Sequence, residues 1–314
     1  MSVYVVASSI AVMAIIIGLG SFMALRLPVT KELKTALMFI IINFAVPAII
    51  LNGVFNTKVT DSLLHKVLII FIVSIVYHII ALVVTVVAAK LFGFSGIHAN
   101  KMSILASFGN TGFIGIPLCA TIFGPVGGLL AAIFDAALDL VIFTVAIHML
   151  KQEGKFHIRQ LKSVINPPLI AICFGLVAFA AGFEAPQSVK LLTDMLSGIA
   201  GPLAMLYIGM LIPPLVKAKK LTAVPGMWFP LSFRLLIIPV LTMIVLSVSF
   251  FDLEIKQIVI IQAAMPTFML ATVLFAKYAN DEETAVITTI YSTLLSLITI
   301  PIISLFVVWL TDFG

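Results

Sequence analysis

Two aspartates four residues apart, Asp135 and Asp139, stand in a run from Val126 to Leu150 that is otherwise almost entirely apolar. On a helix that spacing puts both carboxylates on one face. Ionised carboxylates deep in an apolar helix are costly and usually functional. Two so close should not both carry charge without a cation. The chemistry they suggest is binding of a coupling ion, H⁺ or Na⁺, with Asp139 roughly 16 Å from the nearer helix end. The structural alternative is that they line a wet vestibule or satisfy neighbouring polar groups.

A second group pairs proline with polar residues in mid-run. Gly109-Asn110-Thr111-Gly112-Phe113-Ile114-Gly115-Ile116-Pro117 interrupts one apolar run, and Gln262-Ala263-Ala264-Met265-Pro266-Thr267 interrupts another. Proline removes a backbone donor and clashes with the preceding turn. In lipid, a broken helix is tolerated only where it faces protein or a water-filled cavity. A half-helix beginning after each proline presents free N–H groups and a positive dipole end, which suits an anion. These breaks nominate Asn110, Thr111, Gly115, Pro117, Gln262, Pro266 and Thr267 as a substrate site, with Asn43, beside Pro47, facing it from the side. Plain packing kinks are the alternative. Arg234, about seven residues into its run, either snorkels to the headgroups, pairs with Asp139 or attracts an anion. His78 reads as a hydrogen-bonded packing residue rather than a proton relay. Thr288, Tyr291, Ser292 and Thr293 read as a polar cluster that glues helices together.

The elements that must hold these residues follow from composition. Of 314 residues, 62% are apolar and 10% charged, against about a quarter charged in soluble domains. A lipid solvent accounts for this. Ten runs reach the length of a spanning helix: 4–25, 34–55, 67–91, 102–123, 126–150, 167–183, 188–216, 227–250, 256–277 and 284–310. The seventh is long enough to bend at Gly201-Pro202. The alternate loops after the odd-numbered runs hold 13 Lys and Arg, and those on the other side hold 4. Basic loops are cytoplasmic, so both termini are expected outside and the loop 151–165 inside, in a multi-pass plasma-membrane protein. No Lys or Arg precedes the first run, as a secretory leader would require, so it reads as a retained helix. The net charge of +5 sits in short loops between apolar runs, which argues against a nucleic-acid partner. Cys119 and Cys173 form no disulfide framework or metal-ligand spacing and read as buried filler.

The basic segment 152–165 divides the chain into five-helix halves, 1–151 and 166–314. An odd number per half makes the second enter the membrane from the opposite side, as in inverted repeats. Pro117 and Pro266, in the fourth helix of each half, lie 149 residues apart, and Pro47 and Pro202, in the second, lie 155 apart. The expected fold is an all-α, ten-helix bundle of inverted repeats whose fourth and ninth helices are broken.

Four motifs then carry a resemblance. Asn110-Thr111 with Gly115-Ile116-Pro117-Leu118, Asn166-Pro167-Pro168-Leu169-Ile170, Pro202-Leu203-Ala204 with Gly209-Met210, and Gln262 to Pro266 with Phe275-Ala276-Lys277-Tyr278 resemble, in order, motifs of the auxin efflux carrier family. That resemblance implies a fold related to bile-acid and sodium–proton transporters, crossing fourth and ninth helices, and a homodimer. It also implies that Asn110 helps hold a substrate carboxylate. Thr267-Phe268-Met269 is bulkier and more apolar than the plant pattern, and the long plant loop is absent. These departures point away from auxin itself and leave small carboxylates such as malate, by analogy. The function expected is a secondary carrier of small organic anions by alternating access, without a cofactor. The rivals are a channel or an ion-coupled symporter of the bile-acid-transporter type with another substrate. An enzyme is disfavoured, since no His-Glu-x-x-His occurs. Nothing suggests a selectivity filter or a metal site.

Overall fold

The computed structural model describes residues 3–56, 61–151, 164–217 and 224–312, and most of the basic linker 152–165 lies outside them. Among the described residues all regular elements are helical. Six stretches are long and apolar enough to cross a membrane: Glu32–Phe55, Ser62–Leu91, Thr111–Leu150, Gln187–Pro213, Trp228–Ser247 and Glu282–Leu305. In chain order the helices are α1 (Val3–Arg26), α2 (Lys31–Ile40), α3 (Val46–Phe55), α4 (Asp61–Leu91), α5 (Gly96–Ser107), α6 (Ile116–Val141), α7 (Ile147–Leu150), α8 (Pro167–Ala180), α9 (Gln187–Gly198), α10 (Ala200–Lys217), α11 (Trp228–Ser232), α12 (Ile238–Ser247), α13 (Leu253–Ala263), α14 (Ala271–Ala279) and α15 (Glu282–Asp312).

The polarity of α4 shows which way its surfaces face. Leu68, Ile72, Val76, Ile80, Val83 and Val87 are exposed, whereas Ser74, His78 and Thr85 are buried. An apolar outside over a polar inside suits lipid rather than water. The inward hydroxyls tie helices together: Ser74 donates to the Phe134 carbonyl at 2.6 Å, and Thr85 meets Ser107 at 2.7 Å. His78 is buried with its Nδ1 2.7 Å from the Ser74 carbonyl, and it packs against Tyr77, Phe108 and Phe134. It sits as the packing residue expected. Cys119 is buried, but Cys173 is exposed on the apolar surface of α8, contrary to expectation.

Proline shapes the helices in a regular way. Three of the four π-helical turns among the described residues, Ile41–Ala45, Thr111–Gly115 and Phe233–Ile237, are each followed by a helix with proline in its first turn, Pro47, Pro117 and Pro239 respectively; the fourth, Ile142–Ala146, is not. A proline cannot donate to the carbonyl four residues back, and its ring pushes that carbonyl away, so the turn widens. A sharper division comes at Gly124, whose φ of 74° lies in the left-handed region and separates 111–123 from 125–150. The long seventh run divides at Ile199, with Pro202 in the first turn of α10. Helices α1 and α10 touch backbone to backbone. A Cβ on Gly20 would strike the Leu206 main chain, and one on Gly209 the Ile17 main chain.

The helix break sits elsewhere than at Pro117. It covers Phe108 to Asn110, between α5 and the π turn, while the second break, Ala264 to Leu270, does contain Pro266. The two unwound segments run antiparallel and pair. The Asn110 N–H donates to the Pro266 carbonyl at 2.7 Å and the Phe268 N–H to the Phe108 carbonyl at 3.2 Å. Side chains complete the crossing. Thr267 donates to the Leu105 carbonyl at 3.1 Å, and its own N–H reaches the Ser292 hydroxyl at 2.9 Å. Ser292 thus performs the gluing role expected of the polar cluster on α15.

Arg234 locks the junction. It is wholly buried, so it does not snorkel, and it meets no carboxylate. Its guanidinium donates to the Ser107 carbonyl at 2.6 Å, the Met265 carbonyl at 2.9 Å and the Ala263 carbonyl, with Tyr77 Oη at 3.5 Å. Ser107 and Ala263 end α5 and α13. One fixed cation therefore serves the negative ends of both half-helices. With its donors taken by carbonyls, Arg234 is a structural clamp rather than the anion-attracting residue the sequence suggested. A buried carbonyl left without a donor costs about 1–3 kcal/mol. Arg234→Gln is expected to lower the thermal unfolding midpoint of the purified protein markedly, with Arg234→Lys recovering part of the loss. An unchanged midpoint in Arg234→Gln would show that the clamp is dispensable.

Candidate functional site

A cavity of about 520 Å³ adjoins the crossing, within the range of small-molecule sites. Most of its wall is apolar, including Met38, Phe113, Tyr207, Ile208, Phe268 and Met269. Its other residues with polar side chains are Lys34 on α2, Asn110 and Thr111 at the break, Asp135 and Asp139 on α6, Asn166 at the start of α8, Thr272 on α14, and Thr289 and Thr293 on α15.

The floor is the N-terminus of the half-helix that starts at Thr111. The carbonyl of Asn110 accepts from the N–H groups of Ile114 and Gly115 at 3.3 and 3.1 Å. The preceding amides, of Thr111, Gly112 and Phe113, have no hydrogen-bond partner among the described residues. Asn110 is 5% exposed, and its Nδ2 likewise has no partner. Three amides and one side-chain amide, all donors, thus stand open at the positive end of a helix. The second break offers less. There the Ala271 and Thr272 N–H groups are taken up by the Phe268 and Met269 carbonyls, each at 3.3 Å.

The two aspartates share the cavity, as their spacing requires, and each is held by a different neighbour. Asp135 accepts from the Thr111 hydroxyl at 2.5 Å, and Asp139 accepts from Asn166 Nδ2 at 2.7 Å. Asn166 is also the N-cap of α8, its Oδ1 accepting from the Leu169 N–H at 2.9 Å. Asp135 lies hard against the half-helix: a Cβ on Gly112 would sit 2.6 Å from its Oδ2. The sequence motif Asn166-Pro167-Pro168 therefore has a second use that only the fold reveals.

Several predicted site residues lie behind the wall rather than in it. Gln262 is wholly buried and donates to the carbonyls of Ala131 at 3.1 Å and Thr111 at 3.4 Å, so it braces the half-helix from the rear. Gly115 lets it do so, since a Cβ there would overlap Gln262 Oε1. Pro266 and Thr267 belong to the crossing itself. Pro117 faces a smaller hollow of about 210 Å³ with Asn52, Thr121, Asp194 and Ser197. Asn43 is outside the lining and donates to the Phe39 carbonyl at 2.9 Å in its own helix. The sequence reading missed Lys34, Tyr207 and Thr289 as lining residues. Helical spacing alone could not have turned them toward the site, because their helices come from distant parts of the chain.

A family profile described as "Membrane transport protein" matches residues 5–304. The chain belongs to that family. This is the auxin efflux carrier family that its motifs resemble. Similar proteins include an "Uncharacterized transporter" of Methanothermobacter thermautotrophicus, 25% identical over 276 residues, covering 87% of this chain and 88% of the relative. A Rhizobium meliloti protein named "Putative malonate transporter" is 26% identical over 280 residues, covering 83% and 82%. A transporter of Methanocaldococcus jannaschii, likewise named as uncharacterized, is 22% identical over 302 residues, covering 93% and 96%. The cavity thus belongs to a membrane transport protein, built around a broken helix.

The contact between Gly115 and Gln262 is open to a double-mutant test. Gly115→Ala alone is expected to destabilise by about 1–3 kcal/mol through overpacking. In a Gln262→Ala background the same change should cost much less. Additive effects in thermal unfolding would place the two residues out of contact.

Proposed function

We propose that this membrane transport protein is a secondary carrier of small organic anions, with the substrate carboxylate seated on the half-helix that begins at Thr111. The reading rests above all on the open N–H groups of Thr111, Gly112 and Phe113 beside the unpartnered Nδ2 of Asn110. Such donors match an anion, and a pre-formed set loses little to reorganisation when one binds. Lys34, at the mouth side of α2, supplies a cation for a second acidic group. The name of the Rhizobium relative makes malonate the first substrate to try.

On this reading the chain has ten spans in two inverted halves, 1–151 and 166–314. The two breaks occupy the fourth span of each half, and their antiparallel pairing supports that relation. Basic loops on the cytoplasmic side put both termini outside in the plasma membrane. Lys34 and Asn166 flank the cavity and follow two of those basic loops, so the conformation described opens inward. Alternating access would expose the same half-helix to the other side, where the smaller hollow at Pro117 lies.

Uptake of radiolabelled malonate into proteoliposomes tests the carrier. Saturation and counterflow are expected of the wild type. Losing a hydrogen bond to a charged group costs about 1.5–3 kcal/mol, so Asn110→Ala should lower uptake at limiting substrate about tenfold or more while folding normally. Non-saturable flux, or full uptake by Asn110→Ala, would refute the assignment.

A further inference from the structure

The half-helix already has an anion beside it. Asp135 is tethered by the Thr111 hydroxyl, and its carboxylate lies against Gly112, at the end whose amides are open. A substrate carboxylate seated there would meet a like charge at contact distance in a largely apolar hollow, where little water screens the repulsion. Yet Asn110 Nδ2, buried and unpartnered on the cavity wall, and three open amides call for an acceptor that Asp135 does not supply from its present position. The site is built for one more acceptor than the protein provides, and it carries one charge too many to receive it.

We propose that Asp135 is an internal stand-in for the substrate carboxylate, and that the substrate binds only when a proton neutralises Asp135, so that one proton moves with each carboxylate seated there. This rests on the carrier reading given above. The chemistry balances simply. The Asp135 carboxylate takes a proton from cavity water, and the acid so formed changes from acceptor to donor. It can then hydrogen bond to the incoming carboxylate instead of repelling it. On the opposite side the substrate leaves, the proton leaves to water, and the Asp135 carboxylate returns to Thr111.

The other ionisable groups around the site are placed differently. On its own helix Asp139 is turned to Asn166, one helical turn away. Lys34 and Tyr207 face the cavity from α2 and α10. Behind Asp135, Tyr77 and His78 on α4 pack against Phe134, and Arg234 is committed to the crossing carbonyls. None of these touches the half-helix N-terminus as Asp135 does.

The test uses wild-type protein in proteoliposomes loaded with a pH-sensitive dye, with labelled malonate and a panel of other mono- and dicarboxylates as probes. Proton entry should accompany uptake one for one, and uptake should rise as the external medium is acidified. Asp135→Asn should keep saturable uptake, lose the proton signal, and show an uptake that no longer varies with pH. Its KM at neutral pH should fall about tenfold as the competing charge goes. Asp135→Glu should restore proton movement. Saturable wild-type uptake without proton movement would overturn the inference while leaving the carrier intact. So would proton-coupled uptake that persists in Asp135→Asn. Absence of saturable uptake of any carboxylate would overturn the carrier reading and this inference together. Should Asp135→Asn fail to fold, Asp135→Glu decides: a pH dependence of uptake shifted from that of the wild type is expected, and an unshifted one would overturn the inference.

Discussion

Everything in this fold answers one constraint: a backbone that leaves the helix inside an apolar medium must find partners for its amides and carbonyls. The chain breaks two helices at one place and lets each break serve the other. Asn110 and Phe268 donate across the crossing, Thr267 and Ser292 add side-chain bonds, and Arg234 gathers the carbonyls that end α5 and α13. After this accounting three successive amides, those of Thr111 to Phe113, are left over beside the cavity. The anion preference we propose would be a residue of that subtraction. No basic side chain has to reach the crossing from the cavity to create it.

The charges divide in the same spirit. The buried cation lies at the two C-terminal ends and a half-buried carboxylate at the open N-terminal end. Each therefore opposes the helix dipole it faces. Gln262 and Ala131 hold the half-helix against α6, so that the Thr111–Asp135 contact is fixed from both flanks. The resulting floor is stiff, whereas the remaining wall is mostly side chains with no directional bonds.

Much of this was legible from residue types. Proline and glycine in mid-run announced irregular backbone, and the i, i+4 aspartates announced a shared face, because both signals are local. The position of the first break was not legible. Pro117 produces a π turn rather than a gap, and the chain unwinds earlier, where the Phe108 carbonyl finds the Phe268 amide from 160 residues later. Arg234 was misread for a related reason. A lone arginine in an apolar run looks like a snorkelling residue until the carbonyls it serves, from Ser107 and Ala263, are brought to it by the fold. Asn110, Thr111 and the aspartates reach the cavity because their helix segments carry them there directly, whereas Lys34 and Tyr207 needed tertiary knowledge.

The main-chain contact of α1 with α10, at Gly20 and Gly209, has a mechanical consequence. With no side chain between them those helices cannot shear past each other, and they form one stiff plank. The Arg234 junction forms another. Where the two meet, along Ile114, Leu118, Met205 and Ile208, the surfaces are greasy, and Phe113 meets Tyr207 edge to face at 5.0 Å. Tyr207 itself donates only to the soft sulfur of Met38. On the carrier reading proposed above, one plank would slip along the other by exchanging dispersion contacts for equivalent ones, with every hydrogen bond of the crossing left unbroken.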